Sequence, residues 1–278
     1  MLQQMLCGRK TLARTFRTLT LPLRPKPADV RFFIELAYFG EAYCGWQIQP
    51  NGTSVQETLE KAIGLLARRP VSVVGQGRTD SGVHALQSFA HFETDTLPFP
   101  PEQWVFKING VLPHDIAVKR IVPVAPDAHA RFSATGRSYT YLITKEKDPF
   151  LYKRAWGVYR PLDTEAMRNA AAFLLGRHDF TSFSSARSDT EGRVCHVTQL
   201  DITETATQIR IDIGADRFVM NMVRTITGTL AEVGLGKRNA ADMARLLLEK
   251  DRHKTGENAP AHALYLREVK YPEHIFKL

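Results

Sequence analysis

Residues Gly77 to Ala85 read GRTDSGVHA, which sets Arg78, Asp80, Ser81 and His84 close together in a stretch punctuated by glycine. A carboxylate beside a cation and an imidazole on a bendable loop is a candidate for catalysis. Several specific chemistries fail on spacing. A phosphate-binding P-loop needs a closing Gly-Lys-Ser/Thr, and a dinucleotide fingerprint needs Gly-x-Gly-x-x-Gly opening a helix; this stretch has neither. A serine-nucleophile elbow needs glycine two residues before the serine, where Thr79 stands. Asp80-Ser81-Gly82 matches half of an aspartic-protease dyad, but the chain holds no second Asp-Thr/Ser-Gly to share a proton with it. His84 and His91 lack a neighbouring carboxylate or thiol set at metal-ligand spacing. Asp and Ser also favour turns through their own hydrogen bonds, so spacing alone leaves both a structural turn and a reactive loop open. Gly75, Gly77 and Gly82 are expected to supply dihedral angles and close approaches that other residues resist.

The loop must be carried by regular elements. VRFFIELAYFG, from Val30, alternates with period two but is apolar on both faces, as a covered central strand would be. Ser54 and Glu57 stand as a capping box before Val55, Leu59, Ile63 and Leu66, which predicts a helix over 55–69 stopped by Pro70. VSVVGQG and SFAHFET read as strands on either side of the glycine loop. Farther on, SYTYLIT reads as a strand and DTEAMRNAAAFLLG as a helix capped by Asp163 and stopped by Gly176. VTQLDITET and TQIRIDIGA form a hairpin. RFVMNMVRTITGTLAEVG and NAADMARLLLEK follow as two helices with apolar faces. The order predicts an α+β fold of two related lobes, residues 29–130 and 131–278, with mainly antiparallel sheets.

Composition sets the outer bounds. A chain of 278 residues with 44% hydrophobic residues can bury a large core. No apolar run approaches the roughly 18 to 20 residues needed to span a bilayer, so no membrane association is expected. Cys7, Cys44 and Cys195 are odd in number and widely spaced, which points away from disulfides and structural zinc and toward a reducing compartment. The net charge of +8 is misleading, because residues 1–28 carry six basic residues and no acid, leaving only +2 on the remainder. That tail is read as disordered, or as a targeting segment that would make the protein organellar rather than cytoplasmic.

GRTDSGVHA closely resembles the catalytic motif of the TruA-type tRNA pseudouridine synthases. The likeness continues through ARFSATGRSYTYLI, GRHDFTSF, FVMNMVRTITGTL and ALYL, in order, over roughly residues 31–271. The family often has alanine at the position of Ser81, a small-for-small difference. The resemblance implies a cofactor-independent, metal-free isomerase that converts uridine to pseudouridine in the anticodon stem-loop of tRNA. It also implies a homodimer holding tRNA in a central RNA-binding cleft. It makes Asp80 the nucleophile, Arg224 its ion-pair partner, Arg78 the residue that enters the stem as the base leaves, and Tyr139 the ring that stacks on uracil. Leu264 becomes a wall of the pocket. One physical consideration bears on Arg224 directly: Met222, Val223 and Ile226 around it look buried, and a buried arginine without a partner is costly.

Overall fold

The computed structural model describes residues 30–94, 97, 99–185 and 192–276, and the basic tail expected at residues 1–28 lies outside them. Strand β1 (Val30–Tyr38) buries Phe32, Phe33, Ile34, Leu36 and Tyr38, which draw on both faces of the strand. Helix α1 (Val55–Ala67) starts where Ser54 accepts the Glu57 N–H at 3.1 Å, a cap whose loss costs about 1 kcal/mol. It ends two residues earlier than the spacing predicts, because Arg68 turns left-handed (φ 54°) and Pro70 disfavours helical backbone at Arg69.

The expected strand over VSVVGQG shrinks to β2 (Val74–Gly75). Side chains of α1 take its place at Val73, where Glu60 accepts the N–H at 2.9 Å and Gln56 donates to the carbonyl at 3.1 Å. Strand β3 (His84–Thr94) follows the glycine loop. Helix α2 (Pro101–Val111) and strand β4 (Ile116–Pro123) were not legible in the sequence; α2 buries only Trp104 and Ile108. Asn109 donates to the Val118 carbonyl and accepts its N–H, both at 2.8 Å, so its amide satisfies backbone groups of β4 that no strand reaches.

The second half begins with β5 (Gly136–Thr144) and β6 (Trp156–Gly157). Helix α3 (Thr164–Ala172) is capped by Asp163, which accepts the Ala166 N–H at 2.9 Å. It stops short of Gly176, which opens β7 (Gly176–Asp179) instead. Strands β8 (Val194–Glu204) and β9 (Gln208–Ala215) make the expected hairpin. In β8 the buried set changes parity, from Cys195 and Val197 to Leu200 and Ile202, because a bulge lies between Val197 and Gln199. Helices α4 (Met222–Gly234) and α5 (Asp242–Glu249) and strand β10 (Leu264–Lys270) complete the chain.

All ten strands belong to one sheet, in the order β4-β1-β3-β10-β5-β9-β8-β7, with β2 on β3 and β6 on β5. Pairing is antiparallel except for β10 with β3 and β6 with β5. The fold is therefore mixed α/β with a mostly antiparallel sheet, and the last strand joins its two halves. One core gathers α1 and α2 over β1, β3 and β4; the other gathers α3, α4 and α5 over β5, β8 and β9. Val83 from the first half packs into the second core, and Leu266 and Val269 of β10 pack into the first.

His91 of β3 is 6% exposed, and its Nδ1 accepts the Ala130 N–H at 3.1 Å, so the ring must be neutral at that atom. Burial first, then His129 and Arg31, push its pKa down to about 4 from 6.5. The unfolded chain takes up this proton before the folded one does, so the contribution is complete above the unfolded pKa and is lost as pH falls through the window down to about 4. NMR titration of the folded protein is expected to find His91 neutral until about pH 4, with urea stability declining across the same window. An imidazole that titrates at its ordinary value would contradict this.

Candidate functional site

The loop ahead of β3 is held from three sides. The Val83 N–H closes a turn onto the Asp80 carbonyl at 3.2 Å, and Gly82 supplies the positive φ (80°) that this turn requires. The Tyr43 carbonyl accepts from the Gly82 N–H at 3.3 Å and from the Ser81 hydroxyl at 3.2 Å. Thr79 turns inward, its hydroxyl 3.0 Å from the Tyr38 hydroxyl, so Arg78 and Asp80 on either side of it face outward. At Gly75 a Cβ would overlap the Trp46 indole. Gly77 has open space around it and no positive φ, so the expectation that all three glycines are sterically required holds for Gly75 and Gly82 only.

Asp80 meets its partner across 144 residues of sequence. Arg224 Nη1 donates to Asp80 Oδ2 at 2.9 Å, while its Nε donates to the Ala259 carbonyl at 2.8 Å. The Ala259 N–H in turn donates to the Arg224 carbonyl at 3.0 Å, which ties the first turn of α4 to that segment. The helix expected from Arg217 begins only at Met222. Asp216 Oδ1 accepts the Arg217 N–H at 2.7 Å and the His196 N–H at 2.8 Å, and Asn221 adopts a left-handed φ of 65°. Residues Arg217 to Asn221 therefore form a cavity wall rather than helix.

Asp80, Arg78, Tyr139, Arg224 and Leu264, the five residues singled out from sequence, all line one cavity of about 640 Å³. Tyr139 sits edge-on to Phe218, with ring centroids 5.1 Å apart at 90°. Burial, with a smaller contribution from the Asp80 carboxylate and against the effect of Arg137, pushes its hydroxyl up to about 12. The phenol thus stays protonated, and it has no hydrogen-bond partner among the described residues. Tyr141 has the same strand parity, but it is fully buried and its hydroxyl donates to the Pro260 carbonyl at 2.8 Å. Strand parity does not separate the two tyrosines; the family resemblance selects Tyr139, and the two environments differ in the same sense.

The cavity is electropositive. The side chains of Arg78, Arg131 and Arg217 line it without an ion pair or hydrogen bond among the described residues, whereas its acids are Asp80, paired with Arg224, and Asp216. Such a site suits a polyanionic ligand carrying a planar group for Tyr139.

The family model described as tRNA pseudouridine synthase matches residues 36–133 and 170–272. The tRNA pseudouridine synthase A of Parabacteroides distasonis is 46% identical over 249 residues, covering 88% of this chain and 98% of the relative. That of Porphyromonas gingivalis is 47% identical over 251 residues, covering 88% and 99%, and that of Bacillus subtilis 41% over 247 residues, covering 87% and 99%. The chain belongs to the tRNA pseudouridine synthase family. It is an isomerase acting on uridine in tRNA.

In this synthase two further residues hold the site together: Arg137, which sequence reasoning did not single out, and His84, which it did. Arg137 sends Nη1 to the carbonyls of Ala134 (3.1 Å) and Asp216 (3.2 Å) and Nη2 to those of Arg131 (2.7 Å) and Gln76 (3.4 Å). One guanidinium thus binds the glycine loop, the segment before β5 and the segment before α4. Its acceptors are all backbone carbonyls, so no acidic residue in the sequence points to it. His84 is buried, and its Nδ1 accepts the Gly40 N–H at 2.9 Å, which leaves Nε2 to donate to the His262 carbonyl at 2.9 Å and the Lys153 carbonyl at 3.3 Å. Its signal was present in the motif, but both ring nitrogens serve backbone anchoring.

Hydrogen bonds to charged groups contribute about 1.5–3 kcal/mol each and do not add simply. Arg137→Lys keeps the charge but loses the planar fork, and it is expected to cost about 1–3 kcal/mol in urea unfolding. Amide hydrogen exchange around Gly77 should accelerate at the same time. Parent-like protection there would show that Arg137 does not hold the loop.

Proposed function

We propose that this synthase isomerises uridine in the anticodon stem-loop of tRNA, with Asp80 as the nucleophilic carboxylate. The observation that carries the reading is the Asp80 carboxylate, held by Arg224 at 2.9 Å, on the wall of a cationic cavity that also contains the protonated hydroxyl of Tyr139. In the reaction the bond from ribose C1′ to uracil N1 breaks, the base turns, and C1′ joins C5. The C5 proton leaves and N1 gains one, so atoms and electrons balance without an added reagent. Asp80 acts as an anion whether it attacks the sugar or the base or removes a sugar proton to give a glycal. Arg224 favours that anion and restricts its rotation.

A uridine stacked in a stem is out of reach, and extruding it costs a few kcal/mol. Arg78 is exposed, unpaired among the described residues and two positions from Asp80, so it can enter the space that the base leaves and bind phosphate. Tyr139 offers its ring to the flipped uracil, and Leu264 closes the wall beside it. A tRNA is long compared with one such cavity, which supports a homodimer that grips one tRNA through both subunits. Light scattering at working concentration should give a dimer mass; a fully active monomer would remove this part of the proposal.

Asp80→Asn retains shape and loses the charge, whereas affinity for tRNA rests on many phosphate contacts. The variant should bind tRNA within about tenfold of the parent, a difference of ~1.4 kcal/mol, and form no detectable pseudouridine in a single turnover. Arg78→Ala should act more readily on a uridine already unpaired than on one stacked in the stem. Filter binding and chemical detection of pseudouridine, run side by side, check both. Appreciable turnover by pure Asp80→Asn would exclude Asp80 as the reacting group.

A further inference from the structure

Phe132 is a large apolar side chain on the wall of the reactive cavity, yet it is 74% exposed. Other exposed aromatics, including Phe106, Phe150 and Tyr152, do not line that cavity. The backbone under Phe132 is anchored. His129 Nδ1 accepts the Arg131 N–H at 3.1 Å, His129 and Ser133 exchange two hydrogen bonds of 2.9 Å, and Arg137 grips the Arg131 carbonyl at 2.7 Å. The ring of Phe132 stands 4.5 Å from that of His129, and the Arg131 guanidinium lies 5.4 Å from its centroid. An aromatic face exposed to water, with the unpaired Arg131 guanidinium beside it and the unpaired Arg217 lining the same cavity, has the composition of a stacking platform with phosphate partners.

We propose that Phe132, with Arg131 and Arg217, forms a subsite for the base and phosphate of a nucleotide adjoining the target uridine. The proposal rests on the reading that the flipped uracil enters beside Asp80 and Tyr139. A nucleotide bonded to that uridine must lie at the rim of the same cavity, where Phe132 is. Stacking takes any base, so this subsite adds affinity and orientation without reading sequence. An unpaired nucleobase separated from its own neighbours exposes a face that the platform covers, which offsets part of the cost of opening the stem.

The test begins by mapping the uridine that the parent protein converts in a tRNA. Transcripts are then made with 2-aminopurine, or with an abasic nucleotide, on either side of that uridine. The parent should quench 2-aminopurine on at least one side upon binding, and Phe132→Leu should not. The leucine variant should lose roughly fivefold to a hundredfold in kcat/KM, the range for one base on an aromatic ring, while Phe132→Tyr keeps the parent value. Removing the base on the quenched side should cost the parent the same factor and cost Phe132→Leu nothing more. Because Phe132 is exposed, neither substitution opens a cavity in the core. Equal quenching by parent and Phe132→Leu, or an unchanged penalty on the abasic transcript, overturns the subsite. A mapped uridine outside the anticodon arm would instead overturn the anticodon reading, and the platform would still be judged at the mapped position.

Discussion

The short parallel register of β10 on β3, Tyr265 opposite His84 and Leu266 opposite Ala85, is the constraint from which the site follows. It inserts the last strand between the two halves of the sheet, with β3 on one side and β5 on the other. Because β3 and β10 run the same way, the loop entering β3 and the segment entering β10 reach the sheet at the same end. Asp80 lies on the first and Leu264 at the end of the second. Antiparallel pairing of β10 with β5 sets Leu266 opposite Tyr139 and so brings that tyrosine to the same place. His84 reinforces this junction: from the first residue of β3 it donates to the His262 carbonyl, just before β10, and packs against the ring of Tyr265 at 4.8 Å.

Parts of this arrangement were written locally and parts were not. Ser54 and Asp163 announced α1 and α3 because a cap is a contact within three residues. The hairpin of β8 and β9 was legible from alternation, although the bulge after Val197 shifted its parity. The five candidate site residues came from motif likeness, and the fold places all of them on one cavity. Strand order was hidden, since nothing in LYLREVK states that its partners lie some 180 and 125 residues earlier. The run from Arg217 to Asn221 misled because its apolar residues serve a cavity wall, and a helix face and a pocket wall share one composition. Helix α2 was missed because only Trp104 and Ile108 of its residues are buried, too few to set a period.

Arg224 and Arg137, both partly buried, solve opposite problems. Arg224 faces a carboxylate, and the pair is close to neutral, so its gain is geometric: a fixed oxygen at the cavity surface. Arg137 faces only carbonyl oxygens, whose dipoles satisfy its N–H groups without cancelling its charge. Burial disfavours that charge, and nearby Arg131 and Arg217 disfavour it further, so its pKa is lowered. The cost is offset by the four carbonyls it holds in register.

The cations Arg78, Arg131 and Arg217 on the cavity wall repel one another, and none of them has an ion pair among the described residues. A phosphodiester backbone relieves that repulsion wherever it lies, without reference to base identity. In the proposed reaction, selection of the reacting atom rests on the short-range elements: the Asp80 oxygen held by Arg224, the Tyr139 ring and the wall at Leu264. In the proposed reaction a diffuse charge captures and a small set fixed by Arg224 reacts, and Arg137 ties together the backbone segments that carry both, through the carbonyls of Gln76, Arg131 and Asp216.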